Sequence, residues 1–300
     1  MRWRFALTTT VLLALSSGSF APLPRPAITG LCFLRFKVSS ISEADKFYAK
    51  DLALSLSTKC WAGQENTCFY ITPYQDIGIL QADTPGSAGS LDMTGIWTAD
   101  ASALRSYLLA RGVSAGNLVS PSPGFQYFEL YDPEQHHLRF LSITGAPQII
   151  PEPAEQISHH MIHTGFVVHD RAAMDRLYKD VLGFHVYWHG GMKGDETNWV
   201  DMQVPDGTDW IEYMLNVPDN ASHKTLGVMN HIALGVSDMH AAQQQLIKNG
   251  WKGTEQPKIG RDGKWQLNLY DPDDTRVELM EFTPVEKPCC SEYTGPHPKP

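Results

Sequence analysis

Four ionisable residues stand where charge is expensive. His163, Glu212, His231 and Glu278 lie in the apolar runs IHTGFVV, WIEYML, NHIALGV and RVELMEF, whose length and composition predict strands. A lone ionisable group in such a run is costly unless something binds it. Strand side chains alternate between faces. Thr164, Phe166 and Val168 therefore form one bulky face and leave His163 with Gly165 and Val167, while Ile232, Leu234 and Val236 oppose His231, Ala233 and Gly235. Ile211, Tyr213 and Leu215, and likewise Val277 and Leu279, point away from Glu212 and Glu278. Two imidazoles and two carboxylates with room beside them suit a borderline divalent ion, Zn, Ni, Mn, Fe or Co, that keeps open positions for water or substrate.

The spacing predicts the elements that hold them. His163 to Glu212 spans 49 positions and His231 to Glu278 spans 47, so a His-then-Glu unit occurs twice. Each His strand runs into a helix. Asp170 caps one bearing Met174, Leu177, Tyr178 and Val181 and closing at Gly183, and Asp238 caps another bearing Met239, Ala242 and Leu246 and closing at Gly250. Short strand-like runs follow, with turns such as PDGTD and RDGK. The unit is strand, helix, then about three strands: an α+β class of tandem βαβββ modules.

On these residues the stretch 158–284 resembles the vicinal oxygen chelate superfamily, which includes glyoxalase I and the extradiol dioxygenases. HTGFVV followed by LYKDVLGF is similar to the first glyoxalase signature, with Met174 and Leu177 departing from its usual residues. NHIALGVSD is similar to the second, with Asn230 in place of its usual Gly or His. The resemblance implies paired βαβββ units around a metal in a cupped sheet, with His163, Glu212, His231 and Glu278 as ligands, in one chain or across a homodimer.

The rest of the chain fits around that half. Arg2 and Arg4 precede an apolar run ending at Ser19-Phe20-Ala21, which predicts a cleaved signal peptide over 1–21 and an exported protein. Its loss removes two positive charges and takes the formal net charge from −9 to −11. That acidity excludes nucleic acid and anionic membrane as expected partners and leaves a small-molecule substrate. Residues 28–146 repeat the later pattern in a worn form. Tyr48 stands where Tyr178 does and YDPEQHHLRFL matches YDPDDTRVELM, which puts Phe33, Ile79, Met93 and Arg139 at the four ligand positions. This predicts a domain of the same fold without metal ligands, with Arg139 paired to a neighbouring acid. The proline-rich GAPQIIPEPAE predicts a linker over 147–157, and 285–300 form a tail with a Cys pair. Cys60 and Cys68 are placed either to bridge adjacent strands or to stay as thiols. The tail pair Cys289 and Cys290 is expected to be pinned by a disulfide through Cys32, and His159 and His160 to face solvent.

Three functions compete. A metal with two open positions can chelate two adjacent substrate oxygens and acidify a neighbouring C–H. The glyoxalase pattern then makes Glu278 the catalytic base and Glu212 the constant ligand, in a lyase or isomerase. Val167 stands where glutathione-using members carry Arg, which favours another substrate. The second reading is an extradiol ring-cleaving dioxygenase using His163, His231 and Glu278 with Fe(II), with Tyr270 as an approximate counterpart of its tyrosine. The third is a non-catalytic binder whose groove is lined by Trp199, Trp210 and Trp265.

Overall fold

The computed structural model describes residues 23–63, 67–147 and 149–300. The expected signal peptide over 1–21 lies outside them. Two eight-stranded sheets carry the fold. The first runs β2 (Ser55–Ser57), β3 (Thr67–Thr72), β4 (Gln75–Gln81), β1 (Ile28–Val38), β5 (Ser90–Thr98), β8 (His137–Ile143), β7 (Phe125–Tyr131), β6 (Val119–Ser122), and the second runs β10-β11-β12-β9-β13-β16-β15-β14. In the second, β9 (Met161–Val167), β10 (His185–Gly190), β11 (Trp199–Gln203) and β12 (Trp210–Met214) form one βαβββ unit. The other consists of β13 (His231–Val236), β14 (Lys258–Ile259), β15 (Trp265–Tyr270) and β16 (Arg276–Glu281). The units join where β9 and β13 run antiparallel, and each then adds its last strand in parallel, β12 beside β9 and β16 beside β13. The first sheet repeats this plan with β1 (Ile28–Val38), β4 (Gln75–Gln81), β5 (Ser90–Thr98) and β8 (His137–Ile143) at its centre. The expected α+β architecture of tandem βαβββ modules is the observed one.

The helices start where side chains cap them. Asp170 accepts from the Ala173 amide at 2.9 Å to open α3 (Arg171–Asp175), and Asp238 accepts from Ala241 at 2.9 Å to open α5 (Met239–Asn249), each meeting an otherwise unpaired first-turn donor. α3 continues as a π-helical turn, Arg176–Val181, and the worn half does the same at Lys46–Asp51 after α1 (Ile41–Asp45). α5 closes on Gly250, whose φ of 118° suits a residue without Cβ. One helix, α4 (His223–Met229), was not signalled by hydrophobic spacing. Asn230 ends it: its amide nitrogen donates to Leu226 O at 2.9 Å and its amide oxygen accepts from Val167 N at 3.1 Å. The departure from the signature residue there has a structural use.

The bulky faces of both sheets pack with the helices into one core that spans the two halves, including Phe36, Tyr48 and Phe140 from one and Phe166, Tyr178, Ile232 and Leu279 from the other. The seam is reciprocal. Tyr48 Oη donates to Asp271 Oδ2 at 3.0 Å and Tyr178 Oη donates to Asp132 Oδ2 at 3.0 Å. Gln75 clasps the start of β9, accepting from Met161 N at 2.8 Å and donating to Met161 O at 3.0 Å.

Strand register corrects one expected position in the amino-terminal half. Gly165 pairs with both Glu212 and His231, and Arg35 pairs with both Gly78 and Met93. The residue matching Glu212 is therefore Gly78, not Ile79, because a one-residue slip moves a side chain to the opposite face. Ile79 is buried in the core. Phe33, Met93 and Arg139 hold the other three places, and Trp61, Trp97, Phe125 and Tyr127 fill the space around them. Arg139 is bound as expected: Nε donates to Glu129 Oε1 at 2.9 Å, and the guanidinium lies 4.2 Å over the Tyr127 ring.

The cysteines differ in part from expectation. Cys60 and Cys68 are bridged, with Cα atoms 5.7 Å apart. Cys289 pairs with its neighbour Cys290, and Cys32 is a buried free thiol. Cys32 sits on β1, fully buried within the first half. The tail instead runs along β10 and crosses to the β14–β15 turn. Thr294 N donates to Tyr187 O at 3.0 Å, Tyr293 Oη to Asp262 O at 2.8 Å and Cys289 N to Arg261 O at 2.8 Å. It thus ties together the two edges of the second sheet.

Candidate metal centre

The four residues singled out in the sequence converge on one face of the second sheet. His163 Nε2 and His231 Nε2 stand 3.1 Å apart. Glu212 Oε2 is 3.1 Å from His231 Nε2 and 3.8 Å from His163 Nε2, and Glu278 Oε2 is 3.8 and 3.9 Å from the same two atoms. The paired units explain the convergence. β9 and β13 are the two central strands, and β12 and β16 flank them, so each unit brings a His and a Glu to the middle of the sheet. Gly165 supplies the room: a Cβ there would lie 2.0 Å from His231 Cε1.

Donor chemistry fits an ion. His231 Nδ1 is 2.9 Å from Met229 O, which fixes the proton on Nδ1 and leaves the Nε2 lone pair inward. Burial drives both imidazoles well below their usual pKa, and neutral imidazole is the ligand form. Two nitrogens sharing one ion at about 2.0–2.1 Å stand roughly 3 Å apart, close to the observed separation. His163 Nδ1 is buried without a partner, while the His163 ring stacks on Trp210 at 4.7 Å. His163, His231 and Glu278 form a group able to hold a metal ion, with donor atoms all within 4.8 Å of one another.

The carboxyls are electrostatically tense. Burial raises Glu212 and Glu278 to about 7, opposed by the Arg276 guanidinium. Asp201, opposite Glu212 across β11 and β12, is pushed well above the usual range by burial and then by Glu212.

Sequence reasoning missed three participants. Arg276 Nη2 lies 2.7 Å from His231 Nε2 and 3.9 Å from both Glu212 Oε2 and Glu278 Oε2. Its signal was present: Arg276 is two residues before Glu278, so a period of two puts both on one face. Asp201 was a second acid on a neighbouring strand, without a helpful motif. Lys264, fully buried, has its ammonium 4.7 Å over Trp210 and 5.2 Å over Tyr293, a cage that needs the distant tail.

A cavity of about 350 Å³ opens onto the cluster, with Trp188, Trp199 and Trp210 on its walls and Lys258, Arg261 and Asp262 among its charged residues. Trp265 is not among its lining residues; it meets His240 edge-on at 5.0 Å, because odd positions of β15 face away from the cup. Tyr270 shares a face with Asn268 and pairs with Arg276, yet lies half-exposed beyond the cavity lining. His160 does not simply face solvent. Its Nε2 is 2.8 Å from Asp209 Oδ1, whose other oxygen accepts from Leu31 N at 2.8 Å, so it secures the seam between halves. His159 remains exposed beside Glu152.

Residues 160–279 match the Glyoxalase/Bleomycin resistance protein/Dioxygenase superfamily, so the carboxy-terminal half carries a domain of that superfamily, in keeping with the vicinal oxygen chelate type of paired βαβββ cup. Among curated proteins none matches this chain. Solved structures show the same fold at low identity. The Mn(II)-bound glyoxalase from Novosphingobium aromaticivorans is 18% identical, with a TM-score of 0.63 over 85% of this chain and 83% of that one. Homoprotocatechuate 2,3-dioxygenase from Arthrobacter globiformis is 15% identical, with a TM-score of 0.64 over 87% and 82%. A variant of the B. fuscum enzyme of the same name is 17% identical, with a TM-score of 0.63 over 86% and 72%.

Proposed function

We propose that this protein is a metal-dependent lyase or isomerase of the glyoxalase-like kind, acting on a small substrate with two adjacent oxygens. His163, Glu212, His231 and Glu278 would hold a divalent ion. The observation that carries this reading is the meeting of all four donor tips, each within 3.9 Å of both histidine nitrogens or between them, at the floor of one cavity. When bound, the ion supplies Lewis acidity and open positions for the two substrate oxygens.

The protein's own groups do the rest. Trp188, Trp199 and Met280 line the cavity and exclude water around the substrate body. Glu278, buried with its Oε2 3.8 Å from His231 Nε2 and lining the cavity, is placed to take a proton from a bound substrate and return it. Glu212 stays with His231, 3.1 Å away. Metal analysis of protein purified without chelator, with turnover on hydroxycarbonyls, tests the assignment. Glu278→Gln should keep the metal and lose turnover, and an active variant would remove the proposed base.

The ring-cleaving dioxygenase is the second reading. It is favoured by the fact that His163, His231 and Glu278 alone make a three-donor group; Glu212, beside His231, has no task in it. Oxygen uptake with catechols after Fe(II) reconstitution separates the two. The binder reading keeps Trp199 and Trp210 as lining but gives four donors nothing to do, and a stoichiometric metal would count against it. We also propose that the chain is exported, a reading supported by its disulfides; fractionation of expressing cells tests it.

A further inference from the structure

Arg276 holds donors that the protein does not satisfy once an ion is in place. Its Nη2 hydrogen-bonds the Nε2 lone pair of His231 at 2.7 Å, and its Nε is buried without a partner. One imidazole lone pair cannot serve both a guanidinium and an ion. Metal loading therefore frees Nη2 beside the already unpaired Nε. Leaving guanidinium donors unmet in a buried site is costly.

We propose that Arg276 is the anion-binding residue of the cup, and that the substrate is an acid, such as a 2-oxo or 2-hydroxy carboxylate, whose charged oxygens this side chain takes. The proposal rests on the metal-dependent reading above. Nε and Nη2 form the side-on fork of a guanidinium, and that fork matches the two oxygens of a carboxylate. The position suits the role. Arg276 is near His231, Glu212 and Glu278 but has no hydrogen bond to His163, so it stands to one side of the donor cluster. Asn268, across from Glu278 on β15, lines the cavity with a buried, unpartnered oxygen that accepts and so suits the hydroxyl of a 2-hydroxy acid, not its carboxylate. Lys258 and Arg261 add positive charge to the same cavity. With a divalent ion bound, these cations leave the acidic floor able to accept an anion.

The test compares pyruvate with butane-2,3-dione, two probes that share adjacent oxygens and differ in charge, by calorimetric titration of the metal-loaded protein. The parent should bind pyruvate about 10- to 100-fold more tightly, the range expected for charge-assisted hydrogen bonds. Arg276→Met should lose that preference while keeping its metal per chain and its melting temperature, and Arg276→Lys should regain part of it. A parent that binds both probes equally, or an Arg276→Met variant that still prefers pyruvate, overturns the proposal. A parent that takes up no metal overturns the enzyme reading instead, and this one with it.

Discussion

The Tyr48 hydroxyl donates to Asp271 Oδ2 across 3.0 Å of buried seam, although the two residues are 223 positions apart in the chain. Asp271 also accepts from Asp273 N and Thr275 N at 2.9 Å each, so it organises its own turn while binding the opposite half. Its counterpart Asp132 accepts from Glu134 N and His136 N at 2.9 Å and from Tyr178. Each half thus inserts a helix tyrosine into the other half's turn. Tyr48→Phe removes one donor from a buried carboxyl and should cost about 1–3 kcal/mol. Tyr48→Phe with Tyr178→Phe should cost close to the sum, since the contacts share no partner. Urea unfolding checks both: a Tyr48→Phe variant as stable as the parent would show that the contact contributes little, and a double variant as stable as either single one would show that the two contacts are coupled.

Acid should weaken the amino-terminal half through Glu129. A hydrogen bond from His137, followed by one from Arg139, holds this carboxyl at about 2, against the opposing effect of burial. A depressed folded pKa contributes stability above the unfolded value, near 4.5, and that stability is lost as pH falls from there through 2. Glu129 is partly exposed, so solvent screening reduces the effect to about 1 kcal/mol. Glu129→Gln should flatten this part of the stability profile between about pH 4.5 and 2. An unchanged difference between parent and variant across that range would remove Glu129 from the acid response.

The tail should act as a staple for the second sheet. Removing residues 289–300 deletes the bonds from Thr294 to Tyr187 and from Tyr293 to Asp262. It also deletes the Ser291 contacts with His189 at 3.0 and 3.1 Å. The β10 edge would then be bare, and bare edges pair with other chains. Lys264 would lose the Tyr293 side of its cage. The truncated protein should lose about 2–4 kcal/mol of stability and self-associate in light scattering, whereas a monodisperse truncation with the parent's unfolding midpoint would show the tail to be a passive extension.

What could be seen in the sequence followed the physics of each signal. The four donors were legible because a charge in an apolar strand is costly and a period of two fixes its face, and the doubled spacing revealed the doubled unit. Gly78 was missed because a glycine carries no side chain to mark which face of β4 it occupies. Arg276 stood beside Glu278 in the same run, yet an Arg at a strand's start usually reaches solvent, and only the convergence with His231 turns it inward. Lys264 depends on Tyr293, and α4 on the hydrogen bonds of Asn230, both contacts between segments that no local pattern encodes.

Gly165 is the position where site and fold are most closely joined. It pairs with Glu212 on one side and His231 on the other. A Cβ would lie 2.0 Å from His231 Cε1 and 2.3 Å from Nδ1, far inside contact distance, so the ring would have to turn. Turning it breaks the bond to Met229 O that fixes its proton and moves Nε2 away from His163. The strand itself tolerates alanine, because Gly165 needs no positive φ. Gly165→Ala should therefore fold, with a stability loss of about 1–3 kcal/mol from overpacking, yet bind metal at least tenfold more weakly than the parent. Metal titration beside thermal unfolding separates these effects, and a Gly165→Ala protein with the parent's metal affinity would mean that the orientation of His231 is not what sets ion binding.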